Sequence, residues 1–184
     1  LVLTTARNLK IRQIILETMS RLFNKRISKE IQMYKNDNFT YPNLILRPTD
    51  DLTVWYFIVY DLQDTPYDTG VYYGNVYLPP EYPLKPPDFV FRTPNGRFEV
   101  DKKICTTFTG FHQDTYTSTW NIMTMMEGMI SFMTDDVDTA GIGSMRCSDE
   151  EKKKYAATSL AWNKLQDNFN MTFPDIDTLI NKRH

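Results

Sequence analysis

The run YPLKPPDFVFRTPNGRFEVDKKICTTFTGFHQDTYTSTW, Tyr82–Trp120, decides the fold. It opens on a turn, because Pro83, Pro86 and Pro87 lack backbone donors and fix φ, which excludes a helix or a strand interior. Asp88–Arg92 (DFVFR) then reads as a short apolar strand, and Thr93–Asn95 (TPN) as a turn. An irregular segment carries Cys105, an aromatic and polar loop follows, and Trp120 opens a Met-rich helix. A lone thiol with Asn95 on one side and His112 and Asp114 on the other reads as a covalent-transfer site.

Working back from this run, Val71–Leu78, Thr53–Tyr60 and Asn43–Arg47 are short, rich in β-branched or aromatic residues, and bounded by turn residues. Their connections are too short for crossover helices, so the four segments predict an antiparallel meander. Pro79 and Pro80 extend the proline cluster, and Leu84 inside it is a candidate partner contact. Earlier still, Ile11, Ile14, Ile15, Met19, Leu22, Phe23, Ile27, Ile31 and Tyr34 recur at helical spacing. They predict one long amphipathic helix, or two in tandem, that buries this stripe. The remaining face is basic and reads either as solvated surface or as a dock for an acidic partner.

Working forward, Ile122, Met125, Met126, Met129, Ile130 and Met133 form a helical stripe, best read as core packing. Val137–Arg146 is a loop with Gly141 and Gly143. Ser148 and Glu151 form the S-x-x-E of a capping box, opening a second long helix. Tyr155, Ser159, Trp162, Leu165 and Phe169 are expected to face inward along it, Pro174 to end it, and the final residues to be loose.

At 184 residues one domain with one good core is expected. The 41% hydrophobic and 24% charged composition is that of an ordinary globular protein, and no apolar run is long enough to span a bilayer. A net charge of -2 argues against a general nucleic-acid binder. The two cysteines make no Cys-x-x-Cys pair, and with two histidines in all no zinc site is expected. No metal or other cofactor is called for.

Taken singly, the site residues decide little. A single cysteine is most often a small buried hydrophobe, and Cys147 keeps that reading; Lys102 and Lys103 beside Cys105 would favour its thiolate. Asn95 and Asp114 are common turn formers. A Cys105–His112 pair could suggest a thiol protease, but such dyads are assembled from distant parts of a fold.

Together they say more. The order helix, four-strand meander, proline turn, TPN turn, cysteine, Trp-led helix and terminal helix resembles that of a ubiquitin-conjugating enzyme. DTPYDTGVYYGNVYLPPEYPLKPPDFVF is similar to that family's turn, third strand, YPxxPP turn and fourth strand. TPNGRF, the spacing to Cys105, FHQD and the downstream Trp120 resemble its atypical tail-anchored branch at the endoplasmic reticulum, with TPN in place of His-Pro-Asn. TAGIGS and LAWNKLQDNFNMTFP extend the similarity to Pro174.

The resemblance implies an α+β ubiquitin-conjugating fold: a helical extension over 1–25, the catalytic domain over 26–175, and a tail over 176–184 that leads towards a membrane anchor if the whole protein has one. It implies that Cys105 accepts ubiquitin as a thioester from the activating enzyme and passes it to an amine or hydroxyl of a protein substrate. Asn95 would brace the loop or donate to the oxyanion, and His112 and Asp114 would orient or deprotonate the acceptor. Arg26 and Lys29 would meet the activating enzyme; Leu84, Thr117, Ser118 and Thr119 would meet a RING ligase. In this loop Gln113 stands where the branch has Pro, Tyr116 where it has Trp, and Thr117-Ser118 where it has Asn-Pro. Endoplasmic-reticulum-associated degradation at the cytosolic membrane face is the expected setting, or the cytoplasm without an anchor. The other readings are an inert module that binds ubiquitin or ligase, and a conjugator of another ubiquitin-like modifier.

Overall fold

Four consecutive segments rich in β-branched and aromatic residues produce the expected sheet. The computed structural model describes residues 2–36, 42–105, 116–135 and 141–181. Strands β1 (Leu44–Pro48), β2 (Val54–Tyr60), β3 (Val71–Tyr77) and β4 (Asp88–Phe91) pair antiparallel in the order β1-β2-β3-β4. Register is set by pairs such as Leu46 with Phe57, Phe57 with Gly74, and Gly74 with Phe91. Gly74 is glycine for a packing reason: a Cβ there would lie 2.2 Å from Phe57 Cζ and 2.4 Å from the Val90 carbonyl.

The strict period of two gives the sheet two apolar faces. Leu46, Trp55, Phe57, Tyr72, Val76, Phe89 and Phe91 share one core with helix α2 (Ile122–Thr134) and with Phe23 and Ile27 of helix α1 (Val2–Asn36). Ile45, Ile58, Tyr60, Val71 and Tyr73 share a second core with Phe169, Phe173 and Ile176. Phe169 lies in α4 (Asp167–Thr172), Ile176 in α5 (Ile176–Asn181) and Phe173 in the link between them, all after α3 (Asp149–Lys164). The architecture is the α+β arrangement read from the sequence.

Several local expectations change. Helix α2 starts at Ile122 rather than Trp120, because Asn121 caps it by accepting from the Thr124 N–H. The second long helix ends at Lys164: the chain turns at Leu165, which is 80% exposed, and Phe169 reaches the core from the separate α4. Tyr155 also lies on the exposed side. Ile176–Asn181 form α5, with Ile176 buried rather than loose, and the last three residues lie outside the described ones. The α1 stripe meets the core from Phe23 onward; Ile11, Ile14 and Ile15 are 47%, 55% and 52% exposed. The capping box at Ser148 and Glu151 forms with both of its reciprocal hydrogen bonds.

Candidate active site

The segment that carries the thiol is held by backbone bonds on two sides. The Ile104 N–H donates to the Phe89 carbonyl at 3.0 Å, and the Cys105 N–H donates to the Ile142 carbonyl at 3.0 Å. Ile104 is fully buried, so it anchors the segment and leaves its neighbour Cys105 partly exposed. Neither Cys105 nor Cys147 is in a disulfide bond.

Ile142 belongs to a strap, Gly141–Met145, marked along the chain only by its glycines. The Glu99 N–H donates to the Gly143 carbonyl and the Met145 N–H to the Arg97 carbonyl, both at 2.8 Å, so the strap joins the segment after TPN to the thiol segment. Gly143 has φ of +80°, and a Cβ there would lie 2.8 Å from the Lys103 carbonyl. That close approach in a left-handed conformation requires glycine. It is the one signal in the sequence that could have revealed the strap.

The TPN turn is built from buried polar bonds. The Asn95 Nδ2 donates to the Thr93 carbonyl at 2.9 Å, and its Oδ1 accepts from the N–H groups of Arg97 and Phe98, each at 2.8 Å. At 1% exposure, Asn95 has its amide turned into its own loop, which is the geometry of a brace. Thr93 Oγ1 accepts from the Tyr73 N–H at 2.8 Å and donates to Asn163 Oδ1 at 2.6 Å, while Asn163 Nδ2 donates to the Val71 carbonyl at 2.8 Å. Ser159 Oγ accepts from the Val71 N–H at 2.8 Å. The turn is thereby tied to β3 and α3. Ser159 is buried, as its helical spacing predicts, whereas Asn163 had no signal in the sequence, since it looks like an ordinary polar position on a helix.

The two lysines near the thiol each face a carboxylate: Lys102 pairs with Glu99, and Lys103 with Asp88 at 2.7 Å. Their charge is therefore shared with acids rather than directed at Cys105 alone. At Cys147, partial burial and then the Glu151 carboxylate push the thiol above its ordinary value, as suits an unreactive position. His112 and Asp114 lie outside the described residues.

The expected partner residues fall into two groups. Leu84 is 60% exposed, Ser118 and Thr119 are exposed, and Thr117 is half-buried. Their two loops adjoin, because the Tyr116 hydroxyl donates to the Pro83 carbonyl at 3.0 Å. Lys29 is exposed on α1, whereas Arg26 points inward and bonds to Glu30, Ser118 and Trp120. Among the described residues, a groove of about 720 Å³ lies on the second face of the sheet, lined by Tyr56, Tyr73, Tyr77, Arg92 and Trp162 among others. Cys105 is not among the residues that line it.

Residues 26–163 match the sequence model of the family described as ubiquitin-conjugating enzyme. The chain is 35% identical over 159 residues to ubiquitin-conjugating enzyme E2 6 of Eremothecium gossypii, covering 85% of this chain and 64% of that protein. It is 36% identical over 152 residues to the probable ubiquitin-conjugating enzyme E2 33 of Arabidopsis thaliana, covering 82% and 61%. To ubiquitin-conjugating enzyme E2 J2 of Mus musculus the identity is 35% over 152 residues, covering 83% and 58%. The chain thus spans less than two thirds of the length of these relatives.

Proposed function

The chain belongs to the ubiquitin-conjugating enzyme family, and we propose that it carries ubiquitin as a thioester on Cys105. The Cys105 thiolate attacks the carbonyl of the thioester that joins ubiquitin to the activating enzyme. A tetrahedral intermediate forms, the activating enzyme's thiolate leaves, and ubiquitin is now acylated to Cys105. A substrate amine or hydroxyl then attacks the same carbonyl, loses its proton to a base, and expels the Cys105 thiolate. The acyl donor is activated throughout, so the protein has mainly to position the carbonyl and stabilise its oxyanion.

The observation that carries this reading is the fixed backbone of Cys105, pinned through Ile104 to Phe89 and directly to Ile142 while the residue stays partly exposed. Asn95 acts as the brace of the neighbouring turn. His112 and Asp114 serve the acceptor, orienting or deprotonating it. Lys29 lies on the face offered to the activating enzyme, and Leu84 with Thr117–Thr119 on the edge offered to a RING ligase. The TPN turn and the loop that follows Cys105 support the tail-anchored branch, and with it work on protein substrates in degradation at the cytosolic face of the endoplasmic reticulum.

Incubation with activating enzyme, ATP and ubiquitin, followed by addition of free lysine or serine, tests the cycle. An adduct should form and then decay with appearance of ubiquityl-lysine or ubiquityl-serine. Absence of any adduct, under conditions in which a known family member is charged, would remove the proposal.

A further inference from the structure

Glu30 is an acid on a basic helix, and it is 2% exposed. Its carboxylate is met from three directions. Arg26 Nε donates to Oε1, the Tyr82 hydroxyl donates to Oε1 at 2.5 Å, and the Ile122 N–H donates to Oε2 at 2.8 Å. The last of these is a first-turn N–H of α2, which has no acceptor within the helix and lies where negative charge is favoured. A buried carboxylate held this way has a structural role whatever else the protein does.

Arg26 adds something that a charge pair does not require. Beyond Glu30, its Nη1 donates to the Ser118 carbonyl at 2.6 Å and its Nη2 donates to the Trp120 carbonyl. The guanidinium also lies over the Tyr82 ring, 5.6 Å from its centroid. Burial opposes the charge of Arg26, but the Glu30 bond and the proximity of Tyr82 and Glu30 outweigh it, and the guanidinium holds its proton more tightly than usual. Two residues one turn apart on α1 therefore grip the backbone at 118, 120 and 122.

Other bonds run within the gripped segment and to the turn that carries Leu84. Within it, the Trp120 N–H donates to the Thr117 carbonyl at 3.1 Å, and the hydroxyls of Thr117 and Thr119 lie 3.1 Å apart. At its start, Tyr116 packs edge-on against Trp120 and reaches Pro83 in the turn that carries Leu84. Both loops of the exposed edge are thus referred to α1, one through Arg26 and the other through Tyr82 and Glu30.

We propose that Arg26, seated by Glu30, is a positioning residue that sets the Thr117–Thr119 loop against the Leu84 turn. Its influence is felt at the exposed edge rather than by direct contact with a partner on α1. The inference deepens the reading of that edge as the ligase-facing surface and rests on it for its functional meaning. The geometry itself can be tested on the isolated protein, without ubiquitin or any partner.

Amide hydrogen exchange makes that test. Arg26→Lys keeps a cation beside Glu30 but lacks the planar fork that reaches two carbonyls. Loss of these charge-assisted bonds should speed exchange at Trp120 and Ile122 by at least about tenfold, while Tyr73 and Val76 in the central strands keep the parent rates. Lys29→Ala removes a charge from the same helix without touching the clasp, and its Trp120 and Ile122 should exchange as in the parent. If Arg26→Lys proves too unstable, Arg26→Met/Glu30→Gln removes both charges together so that neither is buried alone. The same local acceleration is expected. Equal acceleration in the central strands would reduce Arg26 to a general stabiliser, and no acceleration at Trp120 would remove the positioning role. Either result leaves the thioester chemistry of Cys105 to be judged by its own assay.

Discussion

Thr93 and Asn163 stand seventy residues apart in the chain and share a 2.6 Å hydrogen bond, the threonine hydroxyl donating to the amide oxygen. Both are fully buried, and the same hydroxyl accepts from the Tyr73 N–H. This one oxygen joins the TPN turn, the third strand and helix α3.

Thr93→Val preserves the shape and deletes the hydroxyl, leaving the Tyr73 N–H and the Asn163 carbonyl oxygen short of a partner. Two buried groups left so should cost about 2–4 kcal/mol of stability, read from urea denaturation. Thr93→Ser keeps both bonds and should cost about 1 kcal/mol for the lost methyl. Equal losses in the two variants would mean that the hydroxyl contributes little.

Asn95→Ala separates a brace from an oxyanion donor. A brace lost from a buried turn lowers the denaturation midpoint and slows thioester formation and discharge together. Loss of an oxyanion donor slows the chemical step by about 10²–10³ with the midpoint nearly unchanged. The three loop bonds of Asn95 predict the first pattern, and single-turnover rates measured beside the melt distinguish the two.

Gly143→Ala forces a Cβ to within 2.8 Å of the Lys103 carbonyl at a φ of +80°. Backbone in that region costs a non-glycine residue about 1–3 kcal/mol even without the clash. The strap should move away from Lys103 and take the Ile142 carbonyl from Cys105. Thioester formation is expected to fall by more than the stability loss explains at a temperature where the variant stays folded; full retention of charging would show that the strap does not position the thiol.

The capping box gives a pH dependence. The Glu151 carboxyl is held below the usual range, first by the backbone N–H of Ser148 and then by its hydroxyl. A carboxylate depressed in the folded state stabilises above its unfolded pKa, and that contribution is lost as pH falls through the lower folded value. The stability difference between the parent and Glu151→Gln should therefore be greatest near neutrality and shrink on acidification below the ordinary glutamate range. A difference that grows on acidification would contradict the assignment.

The strands were legible because each is short, rich in β-branched or aromatic residues and bounded by turn residues, and Ser148 and Glu151 advertised α3 by their spacing. Trp120 misled by being the last large aromatic before the Met stripe, when Asn121 next to it was the cap. The inward face expected of Leu165 and Phe169 assumed one continuous helix; the break at Gln166 sends the first to solvent and the second to the sheet. Ile11, Ile14 and Ile15 have core-like spacing, but spacing cannot say where along a helix the body of the protein begins. Cys105 and Asn95 stood out along the chain and again in the resemblance, and Ser159 was expected to face inward, whereas the contacts made by Asn163, Ser159, Glu30 and the 141–145 strap were not legible. Each of these acts through a partner far away in the chain, and a pattern read along the chain does not contain such pairings.

The most direct measurement compares the parent with Cys105→Ser and Cys147→Ser after incubation with activating enzyme, ATP and ubiquitin, resolved with and without reductant. A thioester is cleaved by added thiol, so the parent and Cys147→Ser should show an adduct that reductant removes, and Cys105→Ser should show none of that kind. A reductant-sensitive adduct that survives in Cys105→Ser, or one that is lost only in Cys147→Ser, would contradict the assignment of Cys105 as the carrier.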